Sequence, residues 1–198
     1  RAADAASQAV DRARYVTISD PATLDSWLAR ATDRGLLAID LLTTAPDPMQ
    51  AELVGIALAL APNEAAYVPL GHRASNDLLA GGGLVPGQIP AREALLRLKP
   101  VLEARSVLKV GHDLKSDLLV LARHGITLAP FDDVLLMSYV LDAGRGAHGL
   151  EELARQHLGH GALALADVVG KGRDRVALET VEIARACPYC AESADLAL

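Results

Sequence analysis

Three short apolar runs near the start limit this chain most. Leu36 to Leu41, Leu53 to about Leu60, and Ala65 to Leu70 have the length of strands. Gly35 precedes the first run, and Pro62-Asn63-Glu64, between the second and third, is turn chemistry. The pattern predicts an antiparallel meander. Upstream, Tyr15–Ile18 alternates as an edge strand would. Asp20 then stands before Pro21 as a helix N-cap before a proline that has no N–H to leave unpaired. Leu24, Trp27, Leu28 and Ala31 follow at helical spacing.

Beyond the meander the pattern changes. Helix is expected over 91–104, strand over 107–110, and helix over 114–124, 134–141 and 150–158, with 159–178 irregular. A last helix is expected to start near Thr180 or at Pro188. A meander followed by alternating helix and strand predicts an α/β fold with a mixed sheet of about five strands and helices on both faces. Residues 1–14, Ala-rich and charged, read as a linker ahead of one domain over 15–198. Residues 71–90 read as a loop, since Gly81-Gly82-Gly83 lacks the GxxxxGK[ST] context of a phosphate cradle. Met49 and Met137 read as core filler, and Trp27 as a packing residue.

The bulk numbers narrow the function. A length of 198 residues suits one compact domain. With aromatics at 3%, the core must be aliphatic. A net charge of −6 argues against binding nucleic acid through a broad basic surface, but leaves room for a small site gripping a strand end. Two cysteines make no disulfide framework. No apolar run reaches the ~18 residues of a membrane span, and no signal-peptide core opens the chain. A cytoplasmic location is the expectation, as part of a longer polypeptide.

Four segments carry a resemblance, in order and spacing: LLAIDLLTT with AELVGIALAL; LKPVLEARSVLKVGHDLKSDLLVLARHGI; FDDVLLMSYVLDAGRGAHGLEELARQHLGH; and VVGKG followed by PYCAESAD. Together they resemble the 3′–5′ exonuclease (proofreading) domain of DNA polymerase I, over about residues 15–198. The resemblance implies a ribonuclease H-like fold in which four acidic residues hold two Mg²⁺ or Mn²⁺ ions and a Tyr orients the attacking water. One metal makes hydroxide and the other stabilises the leaving 3′ oxygen; hard cations call for carboxylate oxygens. It also implies two partners, a single-stranded DNA 3′ end and a polymerase domain C-terminal in the same chain, and no membrane.

Carried over residue by residue, the pattern is half kept. Asp40 and Asp117 stand at two metal positions, and Tyr189 at the position of the Tyr. The Glu expected two residues after Asp40 is Leu42, although i and i+2 share a strand face. The Asp expected four residues after Tyr189 is Ser193, on the same helical face. With two of the four carboxylates replaced, the expectation is a catalytically weak or inactive, mainly structural domain that need not bind the metals. Asp113, four residues before Asp117, could complete an improvised cluster with Asp40 and Asp117, giving an active divergent nuclease; otherwise it caps the helix starting near Leu114. Glu192 and Asp195 face away by about 100° and 200°.

Substrate-handling positions are altered too. A Leu wedge six residues after the first Asp is Pro46, and an aromatic near the 3′ end falls at Leu165, which stacks poorly on a base. Lys109, Lys115 and His112 are candidates for phosphate contact, with solvated surface the plainer reading, as it is for Arg145. His148 reads as structural. Two other chemistries are weighed. Cys187-Pro188-Tyr189-Cys190 has the CPYC form of a thiol redox site, but such sites open a helix early in their fold. A zinc site would need a second pair of ligands, and His157 and His160 read as exposed helix-end residues.

Overall fold

In the computed structural model, residues 9–74, 83–144 and 146–198 are described. Most of the expected linker at 1–14, the glycines Gly81 and Gly82, and Arg145 lie outside these described residues. The described residues form one mixed sheet of six strands: β1 (Val16–Thr17), β2 (Leu36–Thr43), β3 (Leu53–Ala61), β4 (Glu64–Pro69), β5 (Leu108–Gly111) and β6 (Phe131–Asp133). Their spatial order is β1-β4-β3-β2-β5-β6. The central β2-β3-β4 meander is antiparallel, whereas β1 joins β4, β5 joins β2, and β6 joins β5 in parallel. The sixth strand is β6, absent from the five expected, because three residues are too few to display a period.

Seven α-helices complete the described fold: α1 (Pro21–Arg34), α2 (Ala91–Glu103), α3 (Leu114–Arg123), α4 (Val134–Leu141), α5 (Leu150–Leu158), α6 (Leu165–Val169) and α7 (Ile183–Ala197). Helix α1 starts as its sequence dictates, with the Asp20 carboxylate accepting from the Thr23 amide at 2.9 Å. It stops at Gly35, whose φ of 67° is left-handed and costs a glycine little. Helix α6 was not expected, and α7 begins at Ile183, between the two starts the sequence offered.

Strand alternation splits the core in two. Leu37, Ile39 and Leu41 of β2 pack with α1, α2 and α3 on one face, built from long aliphatic side chains. Ala38 and Leu42 point to the other face, where Ala57, Ala59 and Ala65 meet Ala186, Ala191 and Ala194 of α7. Small residues on both partners let α7 lie close to the sheet. Gly55 belongs to the same fit, since a Cβ there would sit 2.1 Å from the Tyr67 hydroxyl oxygen. Trp27 is buried in the first layer, as its spacing required. The expectation for the methionines fails: Met49 and Met137 are exposed, because Met49 sits in the β2–β3 connection and α4 buries none of its residues.

The described part of the expected linker is ordered against the domain. Arg12–Arg14 form a 3₁₀ turn capped by Asp11, and Asn63 of the β3–β4 turn accepts the Asp11 amide at 2.5 Å. Residues 9–14 are thus laid against the domain rather than trailing from it.

Candidate active site

β2 and α3 supply the first half of the site. Asp40 projects from β2 toward the face that carries α7, and burial pushes its carboxyl from 3.8 up to about 7. Asp117 lies one turn into α3. Its carboxyl is also held well above the usual carboxylate range, first by burial and then by the nearby charge of Asp40, with Asp113 and Asp133 adding to the effect. The Leu41 amide pulls in the opposite direction. One Asp117 oxygen, Oδ2, is buried and has no hydrogen-bond partner among the described residues. An orphaned buried carboxylate oxygen is costly in a finished core. Asp40 and Asp117 open together on a cleft of about 290 Å³ that also touches Pro46, His112, Asp113 and Ser116.

α7 supplies the second half. Tyr189 is raised in pKa by burial and then by the charge of Asp40, which places the phenol within electrostatic reach of that carboxylate. Ser193, one turn further on, lines a second cleft of about 340 Å³ with Tyr189. Its hydroxyl turns back to the Tyr189 carbonyl at 3.4 Å. Leu42 is buried in the apolar layer beneath α7 and offers no ligand. The fold therefore brings Asp117 and Tyr189 within electrostatic reach of Asp40.

Among the described residues no group of three or more His, Cys, Asp and Glu side chains is arranged to hold a metal ion. Asp113 does not complete one. Its backbone is left-handed at φ 57° and its exposed side chain makes no capping bond, so it is also not the cap of α3. That cap is Asp133, which the sequence reading missed. Its buried carboxylate accepts the amides of Asp113 at 3.0 Å and Leu114 at 2.9 Å, and that of Leu135 at 2.9 Å at the start of α4. One side chain thus caps two helices. The signal was an Asp immediately before an apolar helical run.

The two acids flanking Ser193 are committed elsewhere. Glu192 is buried and takes Arg12 Nε at 2.7 Å, His160 Nε2 at 2.7 Å and the Leu163 amide at 2.7 Å. Asp195 accepts the Tyr15 hydroxyl at 2.6 Å and the Asn63 amide at 2.8 Å. His160 is accordingly a bonded, half-buried residue and not an exposed helix end, while His157 is exposed.

The substrate-handling candidates divide in the same way. Lys109 is fully buried, and its ammonium donates to the carbonyls of Ala104, Val107 and Ala129 at 2.6–2.9 Å, so it cannot meet a phosphate. Strand alternation turns it inward with Val107 and Gly111. Lys115 is exposed, and Leu165 packs against the α7 layer. The His112 ring bonds the His148 carbonyl at 2.8 Å at the cleft edge, and His148 is structural as read, bonding Ser138 at 2.9 Å. Cys187 and Cys190 are both buried and burial raises both thiols, the reverse of an activated thiolate.

A 3′–5′ exonuclease family profile matches residues 15–198. The chain belongs to the 3′–5′ exonuclease family of DNA polymerase I. A DNA polymerase I of Rhizobium leguminosarum is 51% identical over 95% of the chain, which spans 19% of that relative's length. Escherichia coli RNase D, an exoribonuclease involved in structured RNA processing, is 18% identical with a TM-score of 0.63, covering 92% of this chain and 42% of that one. Brucella melitensis NrnC with bound Mg²⁺ is 20% identical with a TM-score of 0.60, covering 92% and 75%. The exonuclease fold is thus the ribonuclease H-like one, with the mixed sheet and both helical layers expected. No helix among the described residues is long and apolar enough to cross a membrane.

Proposed function

We propose that this chain is the exonuclease domain of a DNA polymerase I-type protein in which nuclease chemistry is weak or silent and the scaffold has a mainly structural part. The observation carrying this reading is the state of the two replaced positions. Leu42 is buried among apolar side chains and Ser193 turns its hydroxyl onto its own helix. Two carboxylates remain, Asp40 and Asp117, and burial favours their neutral forms. A pair of Mg²⁺ or Mn²⁺ ions needs more anionic oxygen than that. The structural part would be to hold a polymerase domain following in the same polypeptide, with at most weak contact to a single-stranded 3′ end through His112 and Lys115. A cytoplasmic location accompanies this reading.

Labelled single-stranded DNA with Mg²⁺ or Mn²⁺ tests it. The expected result is no shortening beyond that given by Asp117→Ala. Metal-dependent removal of 3′ nucleotides that is lost in Asp117→Ala would overturn it. The one observation favouring an active alternative is that Asp113 lines the same cleft and its charge acts on Asp117. Activity lost on Asp113→Asn would identify that divergent site.

A further inference from the structure

Helix α4 reads Val-Leu-Leu-Met-Ser-Tyr-Val-Leu and buries none of these residues. Val140 and Leu141 are each 79% exposed, Tyr139 58% and Leu136 56%. A helix apolar on every side is normally enclosed, and contiguous exposed apolar surface marks an interaction site. Alongside it runs a groove of about 570 Å³ between α4, α5 and the end of α7, lined by Met137, Leu141, Leu153, Leu158, Leu196 and Leu198. Three of its lining residues are the last three described, Leu196 to Leu198. Any polypeptide continuing from α7 leaves from the groove itself.

We infer that α4 and this groove are the docking surface for the polypeptide that follows Leu198, seated through an aliphatic-rich helix. This rests on the proposal that a polymerase domain follows in the same chain. Three observations select that occupant. The matched relative is about five times as long as this chain, which spans 19% of it. Tethering at Leu198 gives a following segment an effective concentration that no separate partner has. The lining is aliphatic, with Asp195 and His157 the charged or titratable residues at its edge, so the fit is to an apolar face rather than to nucleic acid.

The test is side-chain oxidation of the full-length protein, which contains its own reference. Met49 is 62% exposed at the far connection and Met137 is 50% exposed on α4, so an uncovered α4 oxidises both at similar rates. Docking predicts Met137 to react about tenfold more slowly than Met49. Val140→Asp with Leu141→Asp, at positions that bury little in this domain, should bring the two rates together. Equal rates in the unaltered full-length protein overturn the inference. Protection lost on dilution also overturns it, by making the occupant a second copy. A full-length mass showing no polymerase-sized segment after Leu198 would instead remove the reading on which the inference rests.

Discussion

The acids of α3 and α7 came to opposite ends. On α3, Asp117 shares a cleft with Asp40 and has an oxygen that no described residue satisfies. On α7, Glu192 and Asp195 are as deeply placed, yet each oxygen is spoken for by residues far off in sequence: Arg12, His160 and Leu163 for one, Tyr15 and Asn63 for the other. Between them stands Ser193, a neutral hydroxyl turned to the Tyr189 carbonyl. A buried carboxylate with its bonds filled is a structural part, whereas one with an empty lone pair keeps a vacancy for a cation or a proton. The α3 side of this site holds the unbonded oxygen, and α7 has turned its acids to holding the N-terminal segment, the β3–β4 turn and residues 160–163 onto the sheet.

The largest effect should come from removing a filled acid. Glu192→Ala leaves Arg12 and His160 without their anion and the Leu163 amide without its acceptor, at an expected cost of about 3 kcal/mol of folding stability. Urea unfolding reads it. A loss below about 1 kcal/mol would show that the network is no staple and would break the contrast. Asp133→Ala follows. It uncaps α3 and α4 together, and the expected loss is about 2 kcal/mol, measured in the same way. If α3 alone depended on it, hydrogen exchange would quicken in α3 and leave α4 unchanged; loss of protection in both is the expected result.

How far the sequence foretold all this depended on the range of the contacts involved. The meander, the α1 cap at Asp20 and the two-faced sheet were legible because strand period, turn residues and capping are local. Asp40, Asp117 and Tyr189 were singled out by family resemblance, and the fold brings the other two within electrostatic reach of Asp40. Glu192 and Asp195 were not legible, because their partners lie up to 180 residues away and helix geometry shows only that they face away from Ser193's side. Lys109 was misread since a lysine is an expected surface residue, although its alternation with Val107 and Gly111 already pointed it inward. Met137 was misread for the converse reason: an apolar helix suggests a core, and α4 lies outside the core of this domain.

The strand side is tested by pH. Asp40 has an ordinary value of 3.8 and is pushed up to about 7 in the fold. The folded protein therefore keeps a proton that the unfolded chain has already released. Across that window the folded state binds more protons, so stability falls as pH rises from about 4 to about 7 and then levels. Asp40→Asn removes the penalty and also relieves Asp117 of a neighbouring charge. The variant should match the parent near pH 4 and be the more stable of the two at pH 8. Thermal unfolding across pH measures the difference. A flat difference, or a gain confined to acid pH, would mean Asp40 is ionised in the fold and already neutralised by something other than its own proton.

The smallest expected effect is the most pointed. Among the described residues Ser193 bonds only its own helix, at 3.4 Å, and a serine hydroxyl returned to the carbonyl four residues earlier contributes little to a helix. Ser193→Ala should shift stability by less than about 0.5 kcal/mol, although Glu192 immediately before it should cost several times more. That ratio follows from one residue having partners across the molecule and the other having none beyond Tyr189. A loss at Ser193 approaching that at Glu192 would make the serine a working part of the α7 packing. The position would then have been taken over by structure, as its neighbours were, and restoring a carboxylate there would have to break the fold before it could rebuild a metal site.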